Sequence, residues 1–138
     1  MSDDEGVDVP PEAVDREFEQ AAQMFADATT AHDVGISKAT VVNRLYYACF
    51  HAAQAALYAR GFDPGSHGRV QTLLGRELIQ PGDVEREFGR FLNDMETYRR
   101  RVDDGSDGLE RDTDDLIQGT AAFRDAMAAI TGRDRTPA

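Results

Sequence analysis

An arginine, a tyrosine and a histidine share one face of an aromatic-rich stretch of the chain. Residues 43–61 read NRLYYACFHAAQAALYARG. On an α-helix, Arg44, Tyr47 and His51 occupy positions i, i+3 and i+7, so they lie on one face over two turns. Arginine can hold a phosphate through parallel N–H bonds, and histidine can exchange a proton near neutral pH. This pattern permits chemistry on a phosphodiester, with Arg44 holding the phosphate, His51 as acid or base and Tyr47 orienting either group.

The same face also fits a purely structural role. Tyrosine is enriched at surfaces between helices and between subunits, because its ring is buried while its hydroxyl finds water or a partner. An arginine with an acidic partner and a half-buried histidine can lie on such a surface as well. The surroundings of Arg44 decide between the two interpretations, since a fully buried Arg44 bonded to a carboxylate could not hold a phosphate.

Two further segments could contact phosphate. His67 and Arg69 lie in the turn-rich segment GSHGR, where the histidine either contacts phosphate or ties the loop down through a hydrogen bond. Arg99, Arg100 and Arg101 form a run, and guanidinium groups bind phosphate and stack on bases. The alternative for this run is a helix end whose cations offset the helix dipole and pair with neighbouring aspartates. Both interpretations stay open for each segment.

Four long amphipathic helices and one short helix account for the apolar pattern. Apolar residues recur at steps of three and four, and no segment alternates as a strand does. The first helix is predicted to begin at residue 12, and the second to run from a Ser37 cap to residue 60. A short helix is predicted at residues 70–77. The last two long helices are predicted at residues 84–101, after an Asp83 cap, and at residues 110–131. The predicted fold class is all-α, an antiparallel up-and-down helical bundle. The bundle is assigned to residues 10–131, between a disordered acidic N-terminus (1–9) and a loose C-terminal tail (132–138).

The charge balance is strongly acidic. The chain has 26 acidic and 15 basic residues, which give a net charge of −11. Of the basic residues 14 are arginines, and the remaining one is Lys38. This composition is typical of halophilic proteins, because concentrated salt screens the self-repulsion. An ordinary acidic protein is the alternative, and full stability after dialysis into low salt would favour it. The acidity argues against a broad nucleic-acid footprint and leaves room for a local arginine cluster.

Composition and motifs exclude several classes of protein. Cys49 is the single cysteine, so no intramolecular disulfide and no cysteine-based metal site can form. No run is long and apolar enough to span a membrane, and the acidic N-terminus is unlike a signal peptide, so we expect a cytoplasmic protein that does not bind membranes. No zinc spacing, phosphate-binding glycine loop or serine nucleophile motif is visible, and neither a metal nor a cofactor is predicted.

Three segments resemble the HEPN domain family, in particular its small stand-alone archaeal and bacterial members. They read NRLYYACFHAAQAALYARG, SHGRVQTLLGRELI and YRRRVDDGSD, and the Tyr-Tyr-Ala-x-Phe-His motif that the first matches is the most specific. The resemblance spans about residues 12–131. It implies a bundle of four to five helices, usually dimeric. It also implies a role beside nucleic acids, since many HEPN proteins are paired with a minimal nucleotidyltransferase as toxin and antitoxin, and many are metal-independent ribonucleases with an Arg-x(4 to 6)-His motif.

Arg44 and His51 meet the spacing of that ribonuclease motif. The match departs from the family pattern in two ways. Leu45 follows Arg44, where a polar residue is usual in the family. The late arginines Arg99, Arg100 and Arg101 are not followed by a histidine at the spacing of the motif. Two functions therefore stay open. The first is an interaction module for RNA or nucleotides, partner of a nucleotidyltransferase. The alternative is a metal-independent ribonuclease toxin, in which a homodimer brings Arg44 and His51 of two subunits to a shared cleft.

Overall fold

Five α-helices make up the part of the chain that the structure describes. The computed structural model describes residues 9–103 and 111–132. The helices are α1 (Pro11–Asp33), α2 (Lys38–Ala59), α3 (His67–Leu73), α4 (Arg86–Asp103) and α5 (Thr113–Ile130), and α3 continues into a π-helical turn, Leu74–Ile79. No β-strand occurs within these ranges. The predicted all-α bundle of four long helices and one short helix is confirmed.

Helix α2 lies at the centre of the bundle. α1, α3, α4 and α5 all contact it, and α1 has the most extensive contact. A helix enclosed by neighbours needs apolar residues around most of its circumference. The residues of α2 that are buried are Val41, Val42, Leu45, Tyr46, Ala48, Cys49, Phe50, Ala52, Ala53, Ala55, Ala56 and Leu57. The half-buried Tyr47 and His51 stand out against this apolar surface.

The ends of α2 follow from local chemistry. The hydroxyl of Ser37 accepts a 3.3 Å hydrogen bond from the backbone N–H of Thr40, so the predicted cap is confirmed. At the other end Gly61 adopts a φ of 86°, a left-handed conformation that glycine reaches at low cost. These two ends set the length of α2, and the burial of its apolar residues sets the side on which Tyr47 and His51 lie.

The prediction that Asp83 caps α4 is wrong. α4 begins at Arg86, and Asp83 instead accepts a 2.9 Å hydrogen bond from Nη1 of Arg60, beyond the end of α2. Val84 is buried, and its N–H donates to the carbonyl of Leu78 at 2.9 Å. The buried side chain of Val84 and the ion pair between Asp83 and Arg60 thus hold this segment, and α4 starts only after it.

Two other helix boundaries differ from the sequence prediction. The short helix begins at His67 rather than residue 70, because the hydroxyl of Ser66 accepts a 3.3 Å hydrogen bond from the N–H of Arg69. The last helix begins at Thr113, after an Asp112 cap. Residues 1–8, 104–110 and 133–138 lie outside the described residues, so the predicted disordered N-terminus, loose tail and domain boundaries stay predictions. None of the described helices has the length and apolar character needed to cross a membrane.

Candidate functional site

The ring of Tyr47 lies where α2, the start of α3 and the end of α4 meet. Its centroid is 6.5 Å from the ring of His51 and 6.0 Å from the ring of His67. The guanidinium carbon of Arg99 lies 5.9 Å from the same centroid. We call the surface formed by Tyr47, His51, His67 and Arg99 the Tyr47 face. It joins residues that the sequence analysis had placed in three separate segments.

The guanidinium of Arg99 rests on aromatic rings. Its central carbon lies 4.8 Å from the centroid of Tyr46, a cation–π contact, and Nη1 donates a 3.3 Å hydrogen bond to Asp103. The Nε atom of Arg99 is buried and has no hydrogen-bond partner among the described residues. A buried donor without an acceptor carries the full cost of its lost hydration.

Glu96 connects three helices beneath the Tyr47 face. Its Oε2 accepts hydrogen bonds from the Tyr46 hydroxyl at 3.4 Å and from Nε2 of Gln71 at 2.9 Å, and its Oε1 accepts one from Arg100 at 2.5 Å. Burial, together with the nearby Glu96 carboxylate, holds the pKa of Tyr46 well above its usual value, so its hydroxyl stays a donor. Sequence reasoning missed Glu96, although its i,i+4 spacing to Arg100 was a usable signal.

His67 packs against the aromatic residues of α2. Its ring centroid lies 4.1 Å from that of Phe50, and its Nδ1 lies 3.5 Å from the Tyr46 hydroxyl oxygen. These contacts tie the start of α3 to α2. The residue as a whole is nevertheless exposed, so the outer side of His67 is accessible to a ligand.

His51 is held by a carboxylate from α1. Its Nδ1 lies 2.7 Å from Oε1 of Glu17, which also accepts a 2.9 Å hydrogen bond from Gln54. The side chains of His51 and Glu17 are 22% and 13% exposed. When Nδ1–H donates to the carboxylate, the neutral ring keeps the lone pair of Nε2, which a general base requires. Sequence reasoning missed Glu17, because helix periodicity does not show which residues of α1 face His51.

Arg44 has no carboxylate partner among the described residues. It is half-buried, and its Nη1 donates a 3.3 Å hydrogen bond to the side-chain oxygen of Asn43. It precedes Tyr47 by three residues, so it lies next to the Tyr47 face on the same side of α2. The condition that would have prevented Arg44 from holding a phosphate is therefore not met within the described residues.

The remaining predicted arginines differ in their surroundings. Arg100 pairs with Glu96 and Arg99 with Asp103, each at i,i+4 spacing, so the aspartate pairing that the structural interpretation expects of this run is seen at Arg99. Arg101 is exposed, and Arg69 is half-buried near the start of α3. Arg99 contacts the ring of Tyr47, and Arg100 is linked to the site through its hydrogen bond to Glu96.

Cys49 lies in the core rather than at the site. It is fully buried, its Sγ lies 3.7 Å from the Thr120 hydroxyl oxygen, and burial raises the pKa of its thiol to about 12. A thiol with so high a pKa is a poor nucleophile and metal ligand. Within residues 9–103 and 111–132, no group of three or more His, Cys, Asp or Glu side chains is placed to hold a metal ion.

A family model described as the HEPN domain matches residues 14–129, a range that takes in the Tyr47 face and reaches from α1 into α5. The chain belongs to the HEPN family. The resemblance seen in the sequence is therefore confirmed. A UPF0332 protein of Thermotoga maritima is 34% identical to this HEPN chain over 93 residues, 66% of the chain and 70% of the relative.

Two other relatives support the same family. A UPF0332 protein of Gloeobacter violaceus is 35% identical over 107 residues, 75% of this chain and 79% of the relative. A Methanocaldococcus jannaschii protein that carries the name "Putative toxin" is 29% identical over 87 residues, 62% of this chain and 65% of the relative. The HEPN chain thus spans slightly less than two thirds of the protein named as a toxin.

Proposed function

We propose that this HEPN protein binds single-stranded RNA through the Tyr47 face, as the toxin-like member of a pair with a minimal nucleotidyltransferase. The observation that carries the proposal is the meeting of Tyr47 with the rings of His51 and His67 and with the guanidinium of Arg99. Single-stranded RNA is recognised by this combination, because bases stack on aromatic rings and arginines bind phosphates. A local cluster of this kind suits a chain whose overall charge is −11.

The polar groups of the face suit a phosphate–base unit. The side chain of Arg99 is 21% exposed, so a phosphate beside it would accept hydrogen bonds from the terminal guanidinium nitrogens. An adjacent base would stack on the exposed side of His67 or on Tyr47. The cation at Arg44, one turn before Tyr47 on the same side of α2, would attract the continuing backbone.

Photochemical cross-linking tests where RNA binds. Ultraviolet irradiation of the protein with oligouridine should join uridine to Tyr47 or His67, as located by mass spectrometry of peptides. The matched control is Tyr58→Ala, which removes a half-buried tyrosine three turns further along α2. We expect Tyr47→Ala to abolish the cross-link and Tyr58→Ala to keep it. Cross-links confined to peptides without any residue of the Tyr47 face would contradict the proposal.

The nucleotidyltransferase partner is supported by family membership and by a relative named as a toxin. A toxin and its antitoxin form a stable complex when mixed. Size-exclusion chromatography with light scattering should therefore show co-elution of this chain with a minimal nucleotidyltransferase encoded beside it. Separate elution of the two proteins at every ratio tested would contradict the pairing and would leave RNA binding by the Tyr47 face unaffected.

A second candidate function, RNA cleavage, is favoured by the contact between His51 and Glu17. Nε2 of His51 would take the proton of a ribose 2′-hydroxyl while Arg44 holds the phosphate and Tyr47 orients it. The 2′-oxygen then bonds to phosphorus, the bond to the 5′-oxygen breaks, and solvent protonates that oxygen. The products carry a 2′,3′-cyclic phosphate and a 5′-hydroxyl. A homodimer would bring two such faces to one cleft, which light scattering of the purified chain can test as a dimeric mass.

A further inference from the structure

A groove of about 350 Å³ lies between the π-helical turn and the first two turns of α4. The buried side chains of Leu74 and Leu92 and the half-buried Ile79 line its apolar surface. Arg86 and Arg90 also line the groove, and both are exposed. The groove therefore combines an apolar floor with two cations at its edge.

The two arginines are in an electrostatically unfavourable position. They are one turn apart on α4, so their charges repel each other, and Arg86 starts the helix at the positive end of its dipole. Neither has an ion pair or a hydrogen bond to another described side chain. The neighbouring acids interact with one another instead, since a hydrogen bond with Glu87 and the repulsion between the two carboxylates raise the pKa of Glu85. A bound anion would remove the repulsion between Arg86 and Arg90.

Two glycines shape the groove. A Cβ atom on Gly89 would lie 2.6 Å from Cδ1 of Ile79, so this glycine allows α4 to approach the π-helical turn closely. A Cβ atom on Gly75 would meet nothing within 4 Å, so open space lies beside the π-helical turn at that point. The turn is closed by the N–H of Gln80, which donates to the carbonyl of Gly75 at 2.9 Å. Turns of this type are rare and are often found at functional sites.

We propose that this groove binds a small phosphomonoester with an apolar body. The phosphate would bridge Arg86 and Arg90, because each guanidinium offers two parallel donors to phosphate oxygens. The apolar body would rest on Leu74, Ile79 and Leu92, where its removal from water favours binding. The volume lies at the lower end of the range for small-molecule sites. This site shares no residue with the Tyr47 face and does not depend on the proposed action on RNA.

Titration with phenyl phosphate tests both halves of this recognition. Calorimetry gives the affinity of the folded chain for phenyl phosphate, and inorganic phosphate and phenol serve as probes that each lack one half. The salt is the lowest at which circular dichroism shows the chain folded. We expect phenyl phosphate to bind at least about tenfold more tightly than either probe. In nitrogen–proton NMR spectra the amide signals of Gly75 and Gly89 should move on binding.

Variants decide whether the groove is the site. Arg86→Gln/Arg90→Gln removes both cations, and Gly75→Leu fills the open space beside the π-helical turn; each should weaken phenyl phosphate binding at least about tenfold. The matched control is Arg16→Gln, which removes an exposed arginine on α1 and should leave the affinity unchanged. No binding to the wild type would overturn the proposal. Undiminished binding to the double variant, or signals that move at Tyr47 rather than at Gly75, would overturn it as well.

Discussion

The Nδ1 atom of His51 lies 2.7 Å from Oε1 of Glu17, and this contact joins α2 to α1 across the bundle. It fixes which nitrogen of His51 stays available, since the carboxylate accepts from Nδ1–H and leaves Nε2 with its lone pair. The same carboxylate accepts from Gln54 at 2.9 Å, so its position is fixed by two donors. If the protein cleaves RNA, Glu17 positions His51 for that reaction. Whatever the function, Glu17 links α1 to α2.

Replacing Glu17 should separate these two contributions. Glu17→Ala leaves His51 and Gln54 without their acceptor, and we expect the free energy of unfolding to fall by about 1–3 kcal/mol. If His51 acts as a base, metal-independent cutting of a mixed RNA pool in EDTA should fall by about 100-fold or more for His51→Ala, and by at least about tenfold for Glu17→Ala at equal folded content.

The control for this comparison is Glu19→Ala, which removes an exposed carboxylate of the same helix and should change neither property. Cutting by Glu17→Ala at the wild-type rate would mean that the carboxylate has no part in the chemistry. Absence of cutting by the wild type would eliminate the cleavage candidate and leave RNA binding as the function to test.

Arg99 should contribute to RNA binding by more than its charge. Its guanidinium carbon lies 4.8 Å from the centroid of the Tyr46 ring and its side chain is 21% exposed, so a planar group with several N–H donors is already held at the surface. We expect Arg99→Ala to lower the affinity for single-stranded RNA about tenfold, and Arg99→Lys to restore only part of the loss, because lysine keeps the charge without the planar donors. Fluorescence anisotropy measures both. An Arg99→Lys variant with wild-type affinity would show that charge alone matters.

The stability of the protein should decrease in alkaline solution because of Cys49. Burial raises the pKa of the folded thiol from 9.0 to about 12. The unfolded chain releases this proton near pH 9, so the stabilisation by the protonated thiol is complete below pH 9. As the pH rises from 9 toward 12, the free energy of unfolding falls by about 1.4 kcal/mol per pH unit. Tyr46 adds to the loss above its usual pKa, because its own pKa is raised in the fold.

Denaturant unfolding between pH 8 and pH 11 measures this dependence. Cys49→Ala removes the thiol and should reduce the slope of stability against pH by about 1.4 kcal/mol per unit above pH 9. Tyr46 contributes equally to the wild type and to this variant, so it does not affect the comparison. Identical slopes for the two proteins would show that the thiol is not the group responsible.

Gly119 should be required for the packing of α5 against α4. A Cβ atom at this position would overlap the ring of Phe91, which is half-buried at the interface. Alanine favours a helix over glycine by about 1 kcal/mol, yet overpacking at such a contact costs about 1–3 kcal/mol, so Gly119→Ala should destabilise the fold on balance. Gly68→Ala is the matched control, because nothing lies within 4 Å of its Cβ position. Thermal unfolding compares the two, and a stabilised Gly119→Ala would contradict the packing.

Helix periodicity was sufficient to predict the bundle and one part of the site. The recurrence of apolar residues defined the long helices, and a serine before an apolar run correctly identified the Ser37 cap. Helix geometry also placed Tyr47 and His51 on one face. These features are local, because each depends on residues within a few turns of one another.

The features that the sequence did not reveal depend on contacts between distant segments. Glu17 lies 34 residues before His51, and nothing in either helix alone pairs them. Asp83 has the chemistry of a cap, but an ion pair with Arg60 uses it instead. The convergence of His67 and Arg99 on Tyr47 likewise requires the packing of α3 and α4 on α2, which periodicity does not specify.

Whether the Tyr47 face binds RNA is measured most directly by the affinity of Tyr47→Ala for a labelled single-stranded RNA, at the lowest salt at which circular dichroism shows the chain folded. Anisotropy titrations compare it with the wild type and with Tyr58→Ala, each at equal folded content by circular dichroism. We expect binding by the wild type, a loss of at least about tenfold for Tyr47→Ala, and little change for Tyr58→Ala. No RNA binding by the wild type, or equal affinity of all three proteins, would contradict it.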